Sequence, residues 1–298
     1  MAIPRNPLPN GTPISALGLG CSSYWAKHSF PERAACELVQ RAFALGINYF
    51  DTGPSYQAGE AERRLGLAMR TLDRNQLVIS SKAGTYVDAG GRQFRSFDPA
   101  RIRAGVLESL QRLGVSRLDI LYLHGPAIDA LSGELLECLN GLKREGLILY
   151  SGVNSFDRAV LKRLVDLPVD VVMPQYNIYD VSCREEIQSL KEAGKTIIGA
   201  TALAQGVFDL TTLLPTNRKS LWYLLRMVKN DPLFPLTRLH ARRRIGELGG
   251  QPLQAALSFL LQSTAITSSV FGTTSIAHLE ENVAAASGTA KLEGLSAP

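Results

Sequence analysis

Eight apolar runs of strand length, each parted from the next by a segment of helical period, are what most restricts this chain. They cover residues 17–21, 47–51, 77–82, 118–124, 148–153, 169–175, 196–200 and 266–271. Strands that are apolar almost throughout, and not at alternate positions only, are covered on both faces, and alternation with helices makes them parallel. Eight such units close as an α/β fold, the (β/α)8 TIM barrel. The intervening helices are legible from their ends. Asp98-Pro99 supplies an N-cap and a proline at the first helical position, Ile102, Val106, Leu110 and Leu113 follow at helical spacing, and Gly114 ends the segment. Gly46 likewise ends the helix that carries Leu38, Ala42 and Leu45. Ahead of the first run, Asn10-Gly11 between Pro7-Leu8 and Pro13-Ile14 reads as a type I′ turn, so a short N-terminal β-hairpin should open the chain.

Residues 1–298 read as a single domain, with no linker or low-complexity tract, and a hydrophobic content of 45% excludes general disorder. There is no run of eighteen uncharged apolar residues, and the N-terminus has neither the basic start nor the apolar stretch of a signal peptide. The expectation is a cytoplasmic protein with no membrane partner. Cys21, Cys36, Cys138 and Cys183 are too dispersed for a disulfide framework or a CxxC site, and reduced thiols are expected. The net charge of +5 is scattered; its one run, Arg242-Arg243-Arg244, suits a solvated helix face better than contact with nucleic acid. Residues 210–239 stand apart. They hold Pro215, Pro232, Pro235 and the pair Trp222-Tyr223 but no barrel strand, as in a functional or disordered loop.

A TIM barrel builds its active site where the strands end, so polar residues that finish apolar runs are the candidates. Three consecutive runs end in Asp51, Lys82 and His124, and Tyr56 lies five residues past Asp51 at the same end. Taken singly, each is more often a solvated strand end or a hydrogen-bonded core group. Their convergence on one rim favours chemistry, and the chemistry that fits is carbonyl reduction: hydride arrives from a nicotinamide while the oxygen receives a proton. Tyrosine, with an ordinary pKa of about 10, is a poor acid at neutrality. A lysine ammonium beside it favours the ionised phenol, so Lys82 makes Tyr56 a usable donor. Asp51 pairs with Lys82, and a neutral His124 donates a hydrogen bond to the substrate oxygen. No metal is called for, and a Schiff base on Lys82 has no support in the neighbouring motifs. Gly18-Leu19-Gly20-Cys21-Ser22-Ser23 lacks the third glycine of a dinucleotide fingerprint. It reads as the first strand-to-helix loop, where Tyr24 and Trp25 could line a substrate pocket, with Tyr86 a third candidate.

The segments FDTGPSYQAGEAERRLG (50–66), SSKAG (80–84), SFDPARIRAGVLESLQRLGVSRLDILYLHGP (96–126), ALAQG (202–206) and FGTTSIAHLEEN (271–282) resemble the aldo-keto reductase family, in order and over nearly the whole chain. The resemblance implies that Asp51, Tyr56, Lys82 and His124 are the family's catalytic tetrad. It implies reversible reduction of a small-molecule aldehyde or ketone with NADPH, NADH being the alternative cofactor. Gln175 would clamp the nicotinamide carboxamide with Asn154 and Ser155, which stand where many members read Ser-Asn. Leu203, Gln205 and Gly206 would pass the pyrophosphate. Gly272, Thr273 and Thr274 would open a helix whose amides suit a phosphate, with His278, Glu281 and Asn282 receiving the adenosine 2′-phosphate and adenine. The chain departs from the family at Ala200, where an aromatic or arginine often stands, at Gln57, which replaces a glycine, and at His278, where many members have arginine. Since the family includes cofactor-binding subunits, a nicotinamide-binding regulatory protein with little turnover is the second reading. Nothing in the sequence demands an oligomer, and the tail after Asn282 is too short for a long substrate lid.

Overall fold

The computed structural model describes residues 3–203, 221, 225 and 252–287. Each of the eight apolar runs supplies one strand of a closed parallel barrel: β3 (Leu17–Gly20), β4 (Tyr49–Asp51), β5 (Val78–Ala83), β8 (Leu118–His124), β9 (Ile148–Asn154), β10 (Val171–Met173), β11 (Thr196–Gly199) and β12 (Ser268–Phe271). They follow one another around the barrel in that order, and β12 closes onto β3. The sixth strand is shorter than expected because Pro174, which has no N–H, interrupts its ladder; Gln175 rejoins as an isolated bridge to Ala200.

The helices on the outside include α1 (Glu32–Ala44), α2 (Glu60–Met69), α3 (Pro99–Leu113), α4 (Gly133–Arg144), α5 (Arg158–Arg163), α6 (Arg184–Glu192), α7 (Pro252–Leu261) and α8 (Ile276–Ser287). The ends of α3 are as the sequence indicates: the Asp98 carboxylate accepts from the amide of Arg101, Pro99 opens the first turn, and Gly114 leaves it at φ +66°. Buried Glu62 ties α2 and α3 to the barrel, accepting from Ser81 Oγ of β5 at 2.5 Å and from Arg112 Nε of α3 at 2.6 Å.

Two hairpins lie outside the barrel. The N-terminal one, β1 (Arg5–Pro7) with β2 (Pro13–Ser15), is present, but its turn is not type I′. Leu8 N donates to Thr12 O at 2.9 Å and Gly11 N to Leu8 O at 2.8 Å, a turn centred on Pro9-Asn10 and followed by Gly11 at φ +85°. Pro9 is the cause: its fixed φ suits the first central position of a type I turn, and the positive φ passes to Gly11 alone. The second hairpin, β6 (Thr85–Val87) with β7 (Gln93–Arg95), follows β5 and was not foreseen; Asp88 turns it by accepting from the amides of Gly90 and Arg92.

Past their first residues, side chains alternate along the barrel strands. Leu17, Leu19, Phe50, Ile79, Leu121, Leu123, Val153 and Ile197 belong to the apolar layer under the helices. Tyr49, Val78, Ile120, Tyr122, Tyr150, Val171, Met173 and Ile198 fill the barrel, and Leu8 and Ile14 of the first hairpin close its lower end. Each such side chain contributes about 1.5–3 kcal/mol of burial. The large interior rings need space, which glycine gives: a Cβ on Gly18 would lie 2.3 Å from the Tyr49 ring. The same period of two fixes the mouth, since Asp51 follows Tyr49 by two residues, Lys82 follows Val78 by four and His124 follows Tyr122 by two.

No described helix is long and apolar enough to cross a membrane. Apart from Leu221 and Leu225, the 210–239 segment lies outside the described residues, as do Arg242-Arg243-Arg244 and everything beyond residue 287.

Candidate active site

The structure brings Asp51, Tyr56, Lys82 and His124 together at one end of the barrel. Lys82 Nζ donates to Asp51 Oδ2 at 2.6 Å and to Thr52 O at 2.7 Å, with both charged side chains almost wholly buried. Nζ lies 5.2 Å from the centre of the Tyr56 ring, and that ring meets the His124 imidazole edge-on with centroids 6.2 Å apart. Gly53 permits the approach: a Cβ there would stand 3.3 Å from the Tyr56 ring and 3.4 Å from the Lys82 stem. Burial alone would depress the Lys82 ammonium. Asp51, and beside it the Tyr56 phenol, outweigh that and hold it above its ordinary value. The imidazole of His124 is lowered to about 3, by burial first and then by the charges of Lys82 and Arg95, so it is neutral. Its Nδ1 is buried with no hydrogen-bond partner among the described residues.

Behind Asp51 a line of hydroxyls runs into the barrel: Ser80 Oγ donates to Asp51 Oδ1 at 2.7 Å, Tyr49 OH lies 3.0 Å from Ser80 Oγ, and Tyr122 OH lies 3.3 Å from Tyr49 OH. Burial holds both phenols well above their ordinary range, so both keep their protons. The direction of the chain follows. Ser80 spends its one proton on the carboxylate and must accept from Tyr49, which must in turn accept from Tyr122. Every dipole in the line therefore points at Asp51. Sequence reading missed Tyr49, Ser80 and Tyr122, although the period of two that places Asp51 and Lys82 inside also places these.

Beyond Tyr56, Gln57 and Ala58 hold φ of +53° and +51° before Gly59 at +88° begins α2. Left-handed backbone costs a non-glycine residue about 1 kcal/mol or more. Gln57, which stands where the family has glycine, therefore carries strain directly beside the phenol.

On the other half of the mouth the side chains are less engaged. Gln175 Nε2 donates to Asp180 Oδ2 at 2.7 Å, and Asn154 Nδ2 donates to Met173 O at 2.9 Å. Among the described residues neither amide oxygen accepts a hydrogen bond, so each is kept for another donor. Asp180 had no sequence signal, because it reaches Gln175 through a loop. Ser155 Oγ accepts from Asp157 N at 3.2 Å. Leu203 packs against the apolar layer, whereas Gln205 and Gly206 lie outside the described residues. Helix α8 starts at Ile276, later than expected from Gly272-Thr273-Thr274. Its cap is Ser275, whose Oγ accepts from His278 N at 3.3 Å, while Thr273 Oγ1 accepts from Ser275 N. His278 and Glu281 are exposed and Asn282 is buried. Free amide oxygens on adjacent strands and a helix N-terminus on the same rim suit a carboxamide and a phosphate respectively.

The aromatic candidates fare differently. Tyr24 is half-buried against Phe30, and Trp25 is 1% exposed within the apolar layer. Tyr86 turns away from the mouth: its ring packs on Phe94 and under the Arg101 guanidinium, and its hydroxyl donates to Arg101 O. The reason is again alternation, which in β6 aims Thr85 at the His124 carbonyl, 3.1 Å away, and sends Tyr86 to α3.

With this geometry in place, the chain can be set beside known proteins. A model of the aldo/keto reductase family matches residues 16–292. YqkF, an uncharacterized oxidoreductase of Bacillus subtilis (strain 168), is 30% identical over 278 residues, 92% of this chain and 87% of that protein. L-galactose dehydrogenase of Arabidopsis thaliana is 29% identical over 290 residues, 92% of this chain and 85% of its own. The holo form of an aldo-keto reductase from Bacillus halodurans superposes with a TM-score of 0.76 over 96% of this chain and 92% of its own, at 24% identity, a likeness of fold.

Proposed function

The chain belongs to the aldo/keto reductase family, a family of nicotinamide-dependent oxidoreductases, and from that premise we propose that it reduces an aldehyde or ketone with NADPH, using Tyr56 as proton donor. The observation that carries the reading is the Asp51–Lys82 pair buried against the Tyr56 ring.

A nicotinamide, when bound, would supply the hydride that the carbonyl carbon takes up. As charge develops on the oxygen, Tyr56 gives up its phenolic proton and the Lys82 ammonium stabilises the phenolate left behind. Asp51 keeps Lys82 charged in a buried setting, and the hydroxyl line from Tyr122 through Tyr49 and Ser80 holds the Asp51 carboxylate in place. His124, neutral, donates a hydrogen bond to the carbonyl oxygen and orients it. In the reverse direction the Tyr56 phenolate would take the hydroxyl proton of the alcohol while the hydride passes to an oxidised nicotinamide. Gln175 and Asn154 hold the carboxamide through their free oxygens, and Ser155 lies beside them. By the family resemblance Leu203, with Gln205 and Gly206, would serve the pyrophosphate; Gly272, Thr273, Thr274, His278, Glu281 and Asn282 would serve the adenosine end, and the α8 amides would suit a 2′-phosphate, the ground for NADPH over NADH. With Ala200 in place of a larger side chain, ring stacking is weak and the amide clamp carries more of the hold.

The test follows nicotinamide absorbance with NADPH, then NADH, over a panel of aromatic aldehydes, quinones, steroids and open-chain sugars. Turnover faster with NADPH supports the reading. Tight NADPH binding without turnover on any carbonyl overturns it in favour of a regulatory cofactor-binding protein.

A further inference from the structure

The hairpin β6–β7 sits at the mouth, and it presents a cation there that pairs with no carboxylate among the described residues. Arg95 stands opposite Thr85 in the ladder, so both face the end of β8, where Thr85 Oγ1 donates to His124 O. A Cβ built on Gly125, the residue after His124, would lie 3.4 Å from Arg95 Nη2, which places the guanidinium over the start of the loop that leaves β8. The neighbouring arginines are spent: Arg92 on Asp88, Arg101 on Glu108 and Arg103 on Glu145. Arg95 has no carboxylate within 4.0 Å among the described residues, although its charge reaches the His124 imidazole.

The barrel order decides which ligand this cation faces. Around the ring β8 lies diametrically opposite β12, four strands away in either direction. The helix N-terminus proposed for the cofactor's phosphate follows β12. The end proposed for the cofactor's phosphate and Arg95 are therefore on opposite sides of the mouth, with His124 at Arg95's side and Tyr56, from the loop after β4 midway between them, reaching His124 through the ring contact.

We propose that the carbonyl substrate carries an anionic group, a carboxylate or a phosphate, and that Arg95 seats it. This rests on the carbonyl-reductase reading above. A guanidinium presents a planar fork to either anion, and one charge-assisted contact at an open mouth is worth about ten-fold in affinity.

The test compares kcat/KM for 4-carboxybenzaldehyde against its neutral methyl ester, and for glyceraldehyde 3-phosphate against glyceraldehyde, in the wild type, Arg95→Lys and Arg95→Gln. In parallel, calorimetry measures 4-(hydroxymethyl)benzoate binding to the NADPH-saturated protein, a pair that cannot exchange hydride. The expected result is a preference of about ten-fold for at least one anionic member, the pair showing it identifying carboxylate or phosphate. Arg95→Gln abolishes that preference through KM and Arg95→Lys keeps part of it. Turnover of neutral aldehydes with no preference for either anion overturns the seat and leaves the reductase reading standing. Arg95-dependent binding of the carboxylate without reduction of any carbonyl supports the seat and overturns the reductase reading. A preference that survives Arg95→Gln also overturns the seat.

Discussion

The two halves of the barrel mouth are built on different terms. Along β4, β5 and β8 the polar groups are buried and already joined to one another: Lys82 to Asp51, Asp51 to Ser80, and Ser80 to the two interior tyrosines. Along β9 to β12, and on into α8, the candidate binding groups are less joined to one another: among the described residues Gln175 and Asn154 keep their amide oxygens free, and His278 and Glu281 are exposed. The difference teaches where each kind of cost falls. The half proposed to handle the proton is already assembled in the fold, so on that proposal it meets the transition state without reorganising. The other half stays incomplete until a ligand supplies donors. Damage to the first half should therefore register in stability and in chemistry, and damage to the second in binding.

The hardest blow to this contrast is Lys82→Met, which leaves Asp51 buried without its counter-charge. It should cost about 3–5 kcal/mol in urea unfolding and remove turnover. A cost under about 1 kcal/mol would mean that Asp51 is solvated after all, and the contrast would collapse.

Next is acid. The folded pKa of His124 lies near 3, below the unfolded value of about 6.5, so the unfolded chain binds this proton first. The stability that goes with the neutral ring is present above pH of about 6.5 and is lost as pH falls towards about 3. Between about pH 7 and 5 the wild type should lose about 2 kcal/mol more than His124→Asn, read from denaturant titrations of both. Equal losses would place a charged, solvated imidazole in the folded mouth.

Tyr49→Phe sharpens the contrast at smaller scale. It leaves Ser80 and Tyr122 without their shared partner, and should cost about 1 kcal/mol of stability while shifting the pH profile of kcat, with KM for cofactor unchanged. A variant that loses stability with the profile unmoved would make the hydroxyl line packing alone.

Smallest is Gln175→Ala, which should weaken NADPH binding by about three- to ten-fold with little change in unfolding free energy. Loss of stability there, in place of affinity, would show the second half to be as fully assembled as the first.

Much of this could be seen before any coordinates, for one physical reason: alternation along a strand is rigid. Given strands ending at Asp51, Lys82 and His124, all three had to face inward at the same rim. Where the rule went unapplied, the reading failed. Tyr86 reads as a pocket residue only while β6 goes unrecognised as a strand; in the fold its ring packs on Phe94 and under Arg101, and it is Thr85 that faces the end of β8. The N-terminal turn was misjudged because Asn10-Gly11 was weighed without Pro9, whose fixed φ decides the turn type. Asp180 and Ser275 were out of reach for another reason. Each acts through a loop whose path depends on tertiary packing, and no period in the sequence reports that.

The central claim is that proton delivery is separable from cofactor binding, and Tyr56→Phe tests it most directly, by single-turnover hydride transfer and NADPH affinity in the same preparation. The account predicts transfer slowed by about a thousand-fold with the dissociation constant for NADPH within about three-fold of wild type. Transfer within about ten-fold of wild type, or cofactor affinity falling in step with the rate, would contradict it.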